Sequence, residues 1–256
     1  MSIEIIPVEM PIDITDMNDF LENLGSRVEG LLMDKDILVI ASKILLKAKR
    51  LYIKLDDVEP SNKAVSLANK YNMDPRFVEL ILKNSSIVLG GVDGVLLTYI
   101  DNVLSANSGL DRKNIGIDMA SLPPHLLRGS AEEVAEYIHR EFGLKVAVLI
   151  TDSIVYPLRM GTRQYVVDLY GLPPLIDYRG GRDLYDRTIQ FTRMNLADEI
   201  ASAAHLVMGE GDEATPLAIV RGVSYSYLDE DRVDDLYIKP SQCLYQTLYP
   251  QDMKNR

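Results

Sequence analysis

The chain has 256 residues and a formal net charge of −11, with 47% hydrophobic and 25% charged side chains. This balance is typical of a globular protein, and the negative charge disfavours binding to a nucleic acid backbone. Because no apolar run reaches about 18 residues, we expect no membrane span. The single cysteine, Cys243, excludes an intrachain disulfide and a thiolate metal cluster. The amino-terminal residues lack a signal-peptide pattern, so we expect a cytoplasmic protein.

In the first part of the chain, apolar spacing predicts short strands and helices. Residues 3–8 and 36–41 have the pattern of strands, and a helix is predicted between them over residues 16–32. Ser42 follows the second strand, and residues 43–51 fit a helix or an extended segment. The next predicted elements are helices over 61–71 and 74–82, the second capped by Asp74 with Pro75 at its first position, and strands over 87–89 and 94–99.

Beyond residue 100, the strongest signal is a helix over residues 130–142, with Ser130 as its N-cap and Glu133 completing a capping box. Residues 146–150 are apolar and β-branched, and they predict a buried strand that ends just before Asp152. The other predicted elements are strands over 165–169, 187–194 and 218–220 and an alanine-rich helix over 196–204.

These elements show no regular βαβ period, and neither GxGxxG nor GxxxxGK[ST] occurs in the sequence. A Rossmann or P-loop nucleotide site is therefore not expected. We predict an α+β fold over residues 1–256, formed by two intimately joined subdomains of mixed sheets and helices.

Two polar clusters follow apolar runs in the first 155 residues. Residues 105–114 place Asp111 and Asn114 beside small residues, a composition that suits a ligand site or an Asx-capped turn equally well. Asp152 beside Ser153 suits a divalent cation, and a turn capped by Asp152 is the alternative. None of the three histidines lies at metal-ligand spacing from another, so we expect a hard ion bound by oxygen, such as magnesium, manganese or calcium, rather than zinc.

Further candidates come from an acidic, glycine-containing loop and from two arginines. Two glycines within residues 208–216 open the backbone to a phosphate, but three acids repel one unless a metal intervenes, which makes Glu210 a candidate carboxylate ligand. A plain acidic loop is the alternative. Arg159 and Arg179 can grip a carboxylate or phosphate with two parallel hydrogen bonds, or they can pair with nearby acids. The acids of residues 228–236 predict a solvated loop.

Several short motifs occur in one order along the chain. Those before residue 120 are Ala41-Ser42-Lys43 with Lys47-Ala48, Asp74-Pro75-Arg76, and Ala106-Asn107-Ser108-Gly109-Leu110-Asp111 with Asn114. Those after it are Thr151-Asp152-Ser153, Arg159 with Gly161, Asp177-Tyr178-Arg179-Gly180, Ala197-Asp198-Glu199 with Ala203-Ala204, Leu206-Val207-Met208-Gly209, and Val220-Arg221-Gly222. Together they resemble the coenzyme F420-0:L-glutamate ligase family over nearly the whole chain.

The resemblance implies a ligase that uses GTP to add L-glutamate to the terminal carboxylate of coenzyme F420-0 through an acyl phosphate. It implies two divalent ions, Mg²⁺ or Mn²⁺, that clamp the phosphates, and it admits K⁺ as a further ion. It also implies the family's own α+β fold and a homodimer. The partners expected are therefore small molecules, namely F420-0, L-glutamate and GTP.

The resemblance also implies site residues by position. Asp111 and Asp152 correspond to ligands of one metal, and Ser153 and Glu210 to ligands of the other. The implied nucleotide contacts are Ser42, Lys47, Asn114, the early turn Met10, Pro11, Ile12 and Asp13, and the loop Met208, Gly209, Glu210, Gly211, Asp212, Glu213, Ala214 and Thr215. Arg159 and Arg179, predicted from residue type, complete the catalytic set with Asp111 and Asp152 as contacts for substrate anions.

Two departures from the family pattern leave alternatives open. Val155-Tyr156 and Asp186-Arg187 each stand where the family has Gly-Arg. Tyr156 cannot donate the fork that arginine supplies, so one alternative is an amide-forming ligase acting on a different carboxylate acceptor. The other is a nucleotide-binding homologue without turnover, and the intact metal-ligand positions argue against it.

Overall fold

The computed structural model describes residues 2–254, and its helices and mixed sheets confirm the α+β class. The helices are α1 (Met17–Val28), α2 (Ser42–Ala48), α3 (Asn62–Tyr71), α4 (Pro75–Asn84), α5 (Ser130–Phe142), α6 (Leu196–Met208) and α7 (Gln251–Lys254). The strands are β1 (Glu4–Val8), β2 (Ile37–Ala41), β3 (Tyr52–Lys54), β4 (Ile87–Val92), β5 (Val95–Ile100), β6 (Val103–Ala106), β7 (Met119–Ser121), β8 (Ala147–Val155), β9 (Thr162–Tyr170), β10 (Leu175–Asp177), β11 (Arg193–Asn195) and β12 (Leu217–Arg221). Within residues 2–254, no helix is long and apolar enough to span a membrane.

The chain forms two compact units. The first comprises the described residues of Met1–Ile44, Leu127–Ser153 and Arg163–Leu236, and the second those of Leu45–Leu126, Ile154–Thr162 and Tyr237–Arg256. Both units combine segments that are far apart in the sequence, so each forms only when distant parts of the chain meet.

The first unit is built on a five-stranded sheet with the order β1-β12-β2-β8-β9. Strands β2 and β8 pair in parallel, while β12 pairs antiparallel with both β1 and β2. The continuous apolar run Ile37–Ile40 is fully buried, as expected for a strand covered on both faces. Helix α6 packs against β1 and β12, and α1 packs against α5. The sheet is therefore the core of this unit.

A partly buried ion pair joins the end of β12 to the residue before β2, away from the predicted site residues. Arg221, at the end of β12, donates through Nε to Asp36 Oδ1 at 2.9 Å and through Nη2 to Oδ2 at 2.7 Å. It also donates to the carbonyl of Leu31 at 2.8 Å. Since Asp36 is only 2% exposed, removing Arg221 would leave a buried charge without its partner. The arginine of the Val-Arg-Gly motif thus has a structural role.

The second unit contains the antiparallel sheets β4-β5-β6 and β3-β7 and the helix pair α3–α4. Asp74 caps α4 by accepting a hydrogen bond from the backbone N–H of Arg76, and Pro75 is the first helical residue, so this prediction is confirmed. The apolar core of the unit comprises Leu55, Val58, Ala64, Ala68, Phe77, Val78, Leu80, Ile81, Leu96, Leu110 and Ala120.

One local strand prediction is wrong. A strand was predicted over residues 187–194, but only β11 forms there, because the preceding residues make a tight turn in which Asp183 accepts the backbone N–H groups of Tyr185 and Arg187. The acids of residues 228–236 are exposed, as predicted. The segment belongs to the first unit, in which Val233 is buried and Tyr170 donates a hydrogen bond to Asp229 at 2.8 Å.

The predicted capping box at Ser130 is also wrong. Ser130 is the first residue of α5, after Gly129 with φ 83°, and Ser130 Oγ has no hydrogen-bond partner within the described residues. An N-cap residue normally has extended backbone, and its side-chain oxygen accepts a backbone N–H of the first helical turn, which glycine cannot do. Asp168 on β9 takes this role, because its carboxylate accepts the N–H of Ala131 at 2.8 Å. Desolvation raises the pKa of this buried carboxyl group to about 6.

We predict that Asp168→Asn removes a pH dependence of stability. Because the pKa of Asp168 is higher in the folded than in the unfolded chain, the protonated carboxyl group stabilises the folded wild type by about 3 kcal/mol below about pH 4. This stabilisation is lost as the pH rises through about 6. Asparagine still accepts the N–H of Ala131 but does not titrate. Urea unfolding measured from pH 4 to pH 7 should therefore show that the free energy of unfolding of the variant increases relative to that of the wild type as the pH rises. A constant difference would contradict this, and Glu22→Gln, an exposed change in the same unit, serves as the control.

Candidate active site

One edge of the five-stranded sheet collects several of the predicted site segments. Val8 pairs with Leu217, Leu217 with Ile40, and Ile40 with Ile150. The carboxyl ends of β1, β2 and β8 and the start of β12 therefore lie at the same edge. The segments that adjoin this edge are the turn Met10–Asp13, Ser42, Asp152 with Ser153, and the loop Met208–Thr215. Ligands are commonly bound at the carboxyl ends of parallel strands.

One side-chain contact at this edge joins Ser42 and Asp152. In the parallel pair β2–β8, Ala41 lies opposite Thr151. Ser42 and Asp152, the residues that follow them, therefore lie side by side. Ser42 Oγ donates to Asp152 Oδ1 at 2.9 Å, and Ser42 is only 2% exposed while Asp152 is half-buried. The register of the sheet thus holds a carboxylate and a hydroxyl together.

The strand that carries Asp152 is longer than predicted. β8 continues to Val155, so Asp152 and Ser153 lie within the strand and not after its end. Successive strand residues point to opposite faces. Asp152 therefore shares its face with Ser42, and the hydroxyl of Ser153 lies on the other face, where it is exposed.

A buried pair on β8 and β9, missed by the sequence analysis, fixes the neighbouring backbone. Thr151 Oγ1 lies 2.9 Å from Gln164 Oε1 and 3.0 Å from the carbonyl oxygen of Tyr165. Thr151 is 1% exposed and Gln164 is 7% exposed. Since buried polar groups need partners, this contact ties the two strands one residue before Asp152. A glutamine inside an apolar strand was the available signal.

The loop after α6 is tied to the same edge by its backbone. The N–H of Met10 donates to the carbonyl of Ala214 at 3.2 Å, and the N–H of Ala41 donates to the carbonyl of Pro216 at 2.8 Å. Thr215 Oγ1 donates to the carbonyl of Met208 at 3.0 Å. The loop therefore runs beside both the early turn and the end of β2, which brings these predicted nucleotide contacts together.

The three acids in this loop differ in their surroundings. Glu210 Oε1 lies 3.1 Å from Nε2 of His205, in the last turn of α6. Glu213 folds back and accepts the N–H of Gly211 at 2.7 Å. Hydrogen bonds from backbone N–H groups, first that of Glu213 itself and then that of Gly211, lower the pKa of the Glu213 carboxyl group. Asp212 is exposed.

The donor chemistry at the edge fits a hard divalent cation. Within residues 2–254 no cluster of three or more His, Cys, Asp or Glu side chains is arranged to hold a metal alone. Mg²⁺ does not require such a cluster, since it is usually bound by one or two carboxylates together with substrate phosphates and water. The carboxylate of Asp152 with the hydroxyl of Ser42 provides oxygen donors of this kind.

Four predicted site residues belong to the second unit: Lys47, Asp111, Asn114 and Arg159. Asp111 Oδ1 accepts the N–H groups of Arg112 at 2.6 Å and Lys113 at 2.9 Å. The Asx-type turn considered from the sequence is therefore present, and it orients the carboxylate of Asp111. Asn114 adopts the left-handed region with φ 56°, and Arg159 is exposed in the connection between β8 and β9.

Arg179 lies in the first unit but pairs within its own turn. Its Nε donates to both carboxylate oxygens of Asp177, at 2.8 Å and 3.0 Å. This pairing holds the pKa of the Asp177 carboxyl group far below its usual range. The internal ion pair named as the alternative to an anion contact is therefore present.

The two departures from the family pattern differ in structure. Asp186 has φ 60°, so it keeps the left-handed backbone that glycine favours and that aspartate tolerates better than most residues. Val155 is instead the last residue of β8, and it is 52% exposed. Tyr156, which follows it, is 41% exposed. At Val155, the chain therefore continues as a strand up to the position of the departure.

Comparison with known proteins shows the family of this chain. The family model described as F420-0:Gamma-glutamyl ligase matches residues 8–222. A Coenzyme F420:L-glutamate ligase of Methanothermobacter thermautotrophicus is 38% identical over 78% of this chain and 80% of its own length. Proteins with the same name from Methanopyrus kandleri and Methanosarcina acetivorans are 37% and 32% identical over 87% and 90% of both chains.

The matched region contains β2, β8, β9 and β12 of the five-stranded sheet and the last residue of β1, and with them every segment at the candidate site. The chain belongs to the F420-0:gamma-glutamyl ligase family. Its class is that of the ligases that form an amide bond between an acid and an amino acid. The resemblance based on short motifs is thereby confirmed.

Proposed function

We propose that this chain joins L-glutamate to the terminal carboxylate of coenzyme F420-0, with GTP as the phosphoryl donor and Mg²⁺ or Mn²⁺ as the metal. The observation that carries the proposal is the Ser42–Asp152 contact at the carboxyl edge of the sheet, beside the glycine-containing loop of residues 208–215. The names of the relatives support the acceptor and the amino acid.

The proposed reaction has two steps. In the first, an oxygen of the acceptor carboxylate attacks the γ-phosphorus of GTP, the bond from that phosphorus to the bridging oxygen breaks, and GDP leaves. In the second, the amine of L-glutamate attacks the carbonyl carbon of the acyl phosphate. The carbon–oxygen bond to phosphate breaks, phosphate leaves with the electron pair, and the nitrogen loses a proton, which leaves an amide.

The residues of the sheet edge have distinct proposed tasks. Asp152 and Glu210 would hold the divalent ions, whose positive charge offsets the negative charge of the phosphates when they are bound. Ser153, whose hydroxyl lies on the other face of β8, is proposed as a metal ligand on the resemblance alone. Ser42 orients the carboxylate of Asp152, and backbone N–H groups of the loop 208–215 contact the phosphates. Asp111, in the second unit, is proposed as a metal ligand on the resemblance alone.

The remaining contacts are proposed on the same basis. Lys47, Asn114 and the turn Met10–Asp13 would contact the nucleotide, and Arg159 and Arg179 would contact substrate anions. For Arg179, this requires exchange of its ion pair with Asp177. A homodimer in the cytoplasm and K⁺ as a further ion complete the proposal.

A ligase for another carboxylate acceptor is the second candidate. The specific observation in its favour is the extension of β8 through Val155 with Tyr156 exposed behind it. This replaces a flexible glycine and a cationic arginine next to the strand of Asp152. The nucleotide and metal contacts are the same in both candidates, so only the acceptor distinguishes them.

A mass-spectrometric ligation assay tests the proposal. Purified protein with F420-0, L-glutamate, GTP and Mg²⁺ should give a product heavier by one or more glutamyl residues and an equal amount of GDP. Asp152→Asn should reduce the rate at least about a hundredfold, because loss of a charged ligand commonly costs several kcal/mol of transition-state stabilisation. Asp235→Asn, which removes the same charge at an exposed position of the same unit, should be active. Turnover by Asp152→Asn at the wild-type rate would exclude Asp152 from the site.

We predict that Tyr156→Arg strengthens binding of the anionic acceptor. Arginine at this position restores a guanidinium group that can donate two parallel hydrogen bonds to an anion of the acceptor. One such charge-assisted contact corresponds to about a tenfold lower KM for F420-0 at an unchanged kcat. Leu158→Arg, in the same connection and fully exposed, controls for the added charge alone. An equal effect of both changes, or none of either, would show that Tyr156 is not at the acceptor site.

A further inference from the structure

The backbone of the loop after α6 already binds an anionic group. Glu213 turns back towards the start of the loop, and the N–H of Gly211 donates to its Oε2 at 2.7 Å. Backbone N–H groups of Glu213 and Gly211 are the main groups that stabilise the charged form of this carboxylate. Backbone N–H groups directed at one anion form the kind of site, here called a nest, that also binds phosphates.

The glycine that opens the loop permits this fold of the side chain. Gly209 has φ 72°, and a Cβ atom on Gly209 would overlap the carboxyl group of Glu213. A Cβ atom on Gly211 would lie 3.4 Å from Oε2 of Glu213, which is ordinary contact. The side chain of Glu213 is thus packed directly against the Gly209 backbone, where only glycine leaves the space.

From this geometry we infer that the carboxylate of Glu213 is an internal competitor of the nucleotide phosphates for the backbone N–H groups of the loop. The inference rests on the proposed function, because it assigns these N–H groups to the phosphates. Phosphate binding requires the side chain of Glu213 to rotate out of the loop, so the residue sets the apparent affinity for the phosphate chain.

Charge and solvent exposure support competition rather than joint binding. One N–H group cannot donate fully to two anions, and a carboxylate and a phosphate in one nest repel each other. Glu213 is exposed, so its carboxylate can leave for water without a desolvation cost. The apparent dissociation constant of a ligand equals its intrinsic value divided by the fraction of molecules in which its site is open. If nine in ten loops are closed by Glu213, removing the carboxylate tightens binding about tenfold.

The test compares the binding of GTP and of inorganic tripolyphosphate, each with Mg²⁺, by calorimetry. Glu213→Ala removes the competing group, and Glu213→Gln keeps an acceptor oxygen without its charge. We expect about a tenfold lower Kd for Glu213→Ala and a smaller decrease for Glu213→Gln. Asp235→Asn, an exposed change elsewhere in the same unit, removes the same charge away from the loop and should change the Kd less than twofold.

The outcomes separate this inference from the proposed function. If GTP binds to none of the proteins but tripolyphosphate binds more tightly to Glu213→Ala, GTP use is wrong and the competition stands. Weaker binding by Glu213→Ala would mean that Glu213 supports the ligand, and it would overturn the inference. Equal tightening by Asp235→Asn would also overturn it, because this would indicate general charge repulsion. An unchanged Kd for both ligands, including the case in which neither binds, would overturn it too.

Discussion

The parallel pairing of β2 with β8 is the constraint on which the candidate site depends. It joins residues that are about 110 positions apart in the chain and places Ala41 opposite Thr151. A shift of this register by one residue would move Asp152 to the other face of the sheet. The buried contact between Thr151 and Gln164 fixes the next strand at the same level. The chemistry of the edge is therefore a consequence of sheet register.

An acidic protein that handles phosphates has to offset its own charge, and this chain carries a net charge of −11. The structure shows two local solutions. Asp152 and Ser42 present oxygen donors that suit a divalent cation. In the loop after α6, the acids are held by other groups: Glu210 lies beside His205, and Glu213 is bound by backbone N–H groups. These contacts keep the loop compact despite three adjacent negative charges.

The sequence predicted the features that depend on neighbouring residues. The cap formed by Asp74 and Pro75 is such a case, since both signals lie within two residues of the helix start. The cap of α5 was missed because Asp168 comes from a strand 37 residues away from Ala131. The strand predicted over residues 187–194 failed since side-chain bonds from Asp183 to the backbone favour a turn there.

The same distinction applies to the site. The order of short motifs identified the family, and it named the segments that the sheet brings to one edge. It could not show that Ser42 contacts Asp152, because that contact requires the strand order and register. Nor could it show that Arg179 is paired with Asp177 or that Glu213 turns back onto Gly211, since each depends on the local path of the backbone.

The most direct test of this account is a crystal structure with GDP and Mn²⁺, in which anomalous scattering locates the metal. The account predicts a manganese peak at about 2 Å from a carboxylate oxygen of Asp152, with the phosphates beside the loop of residues 208–215. Manganese and nucleotide bound together at a position that Asp152 and this loop do not reach would contradict it.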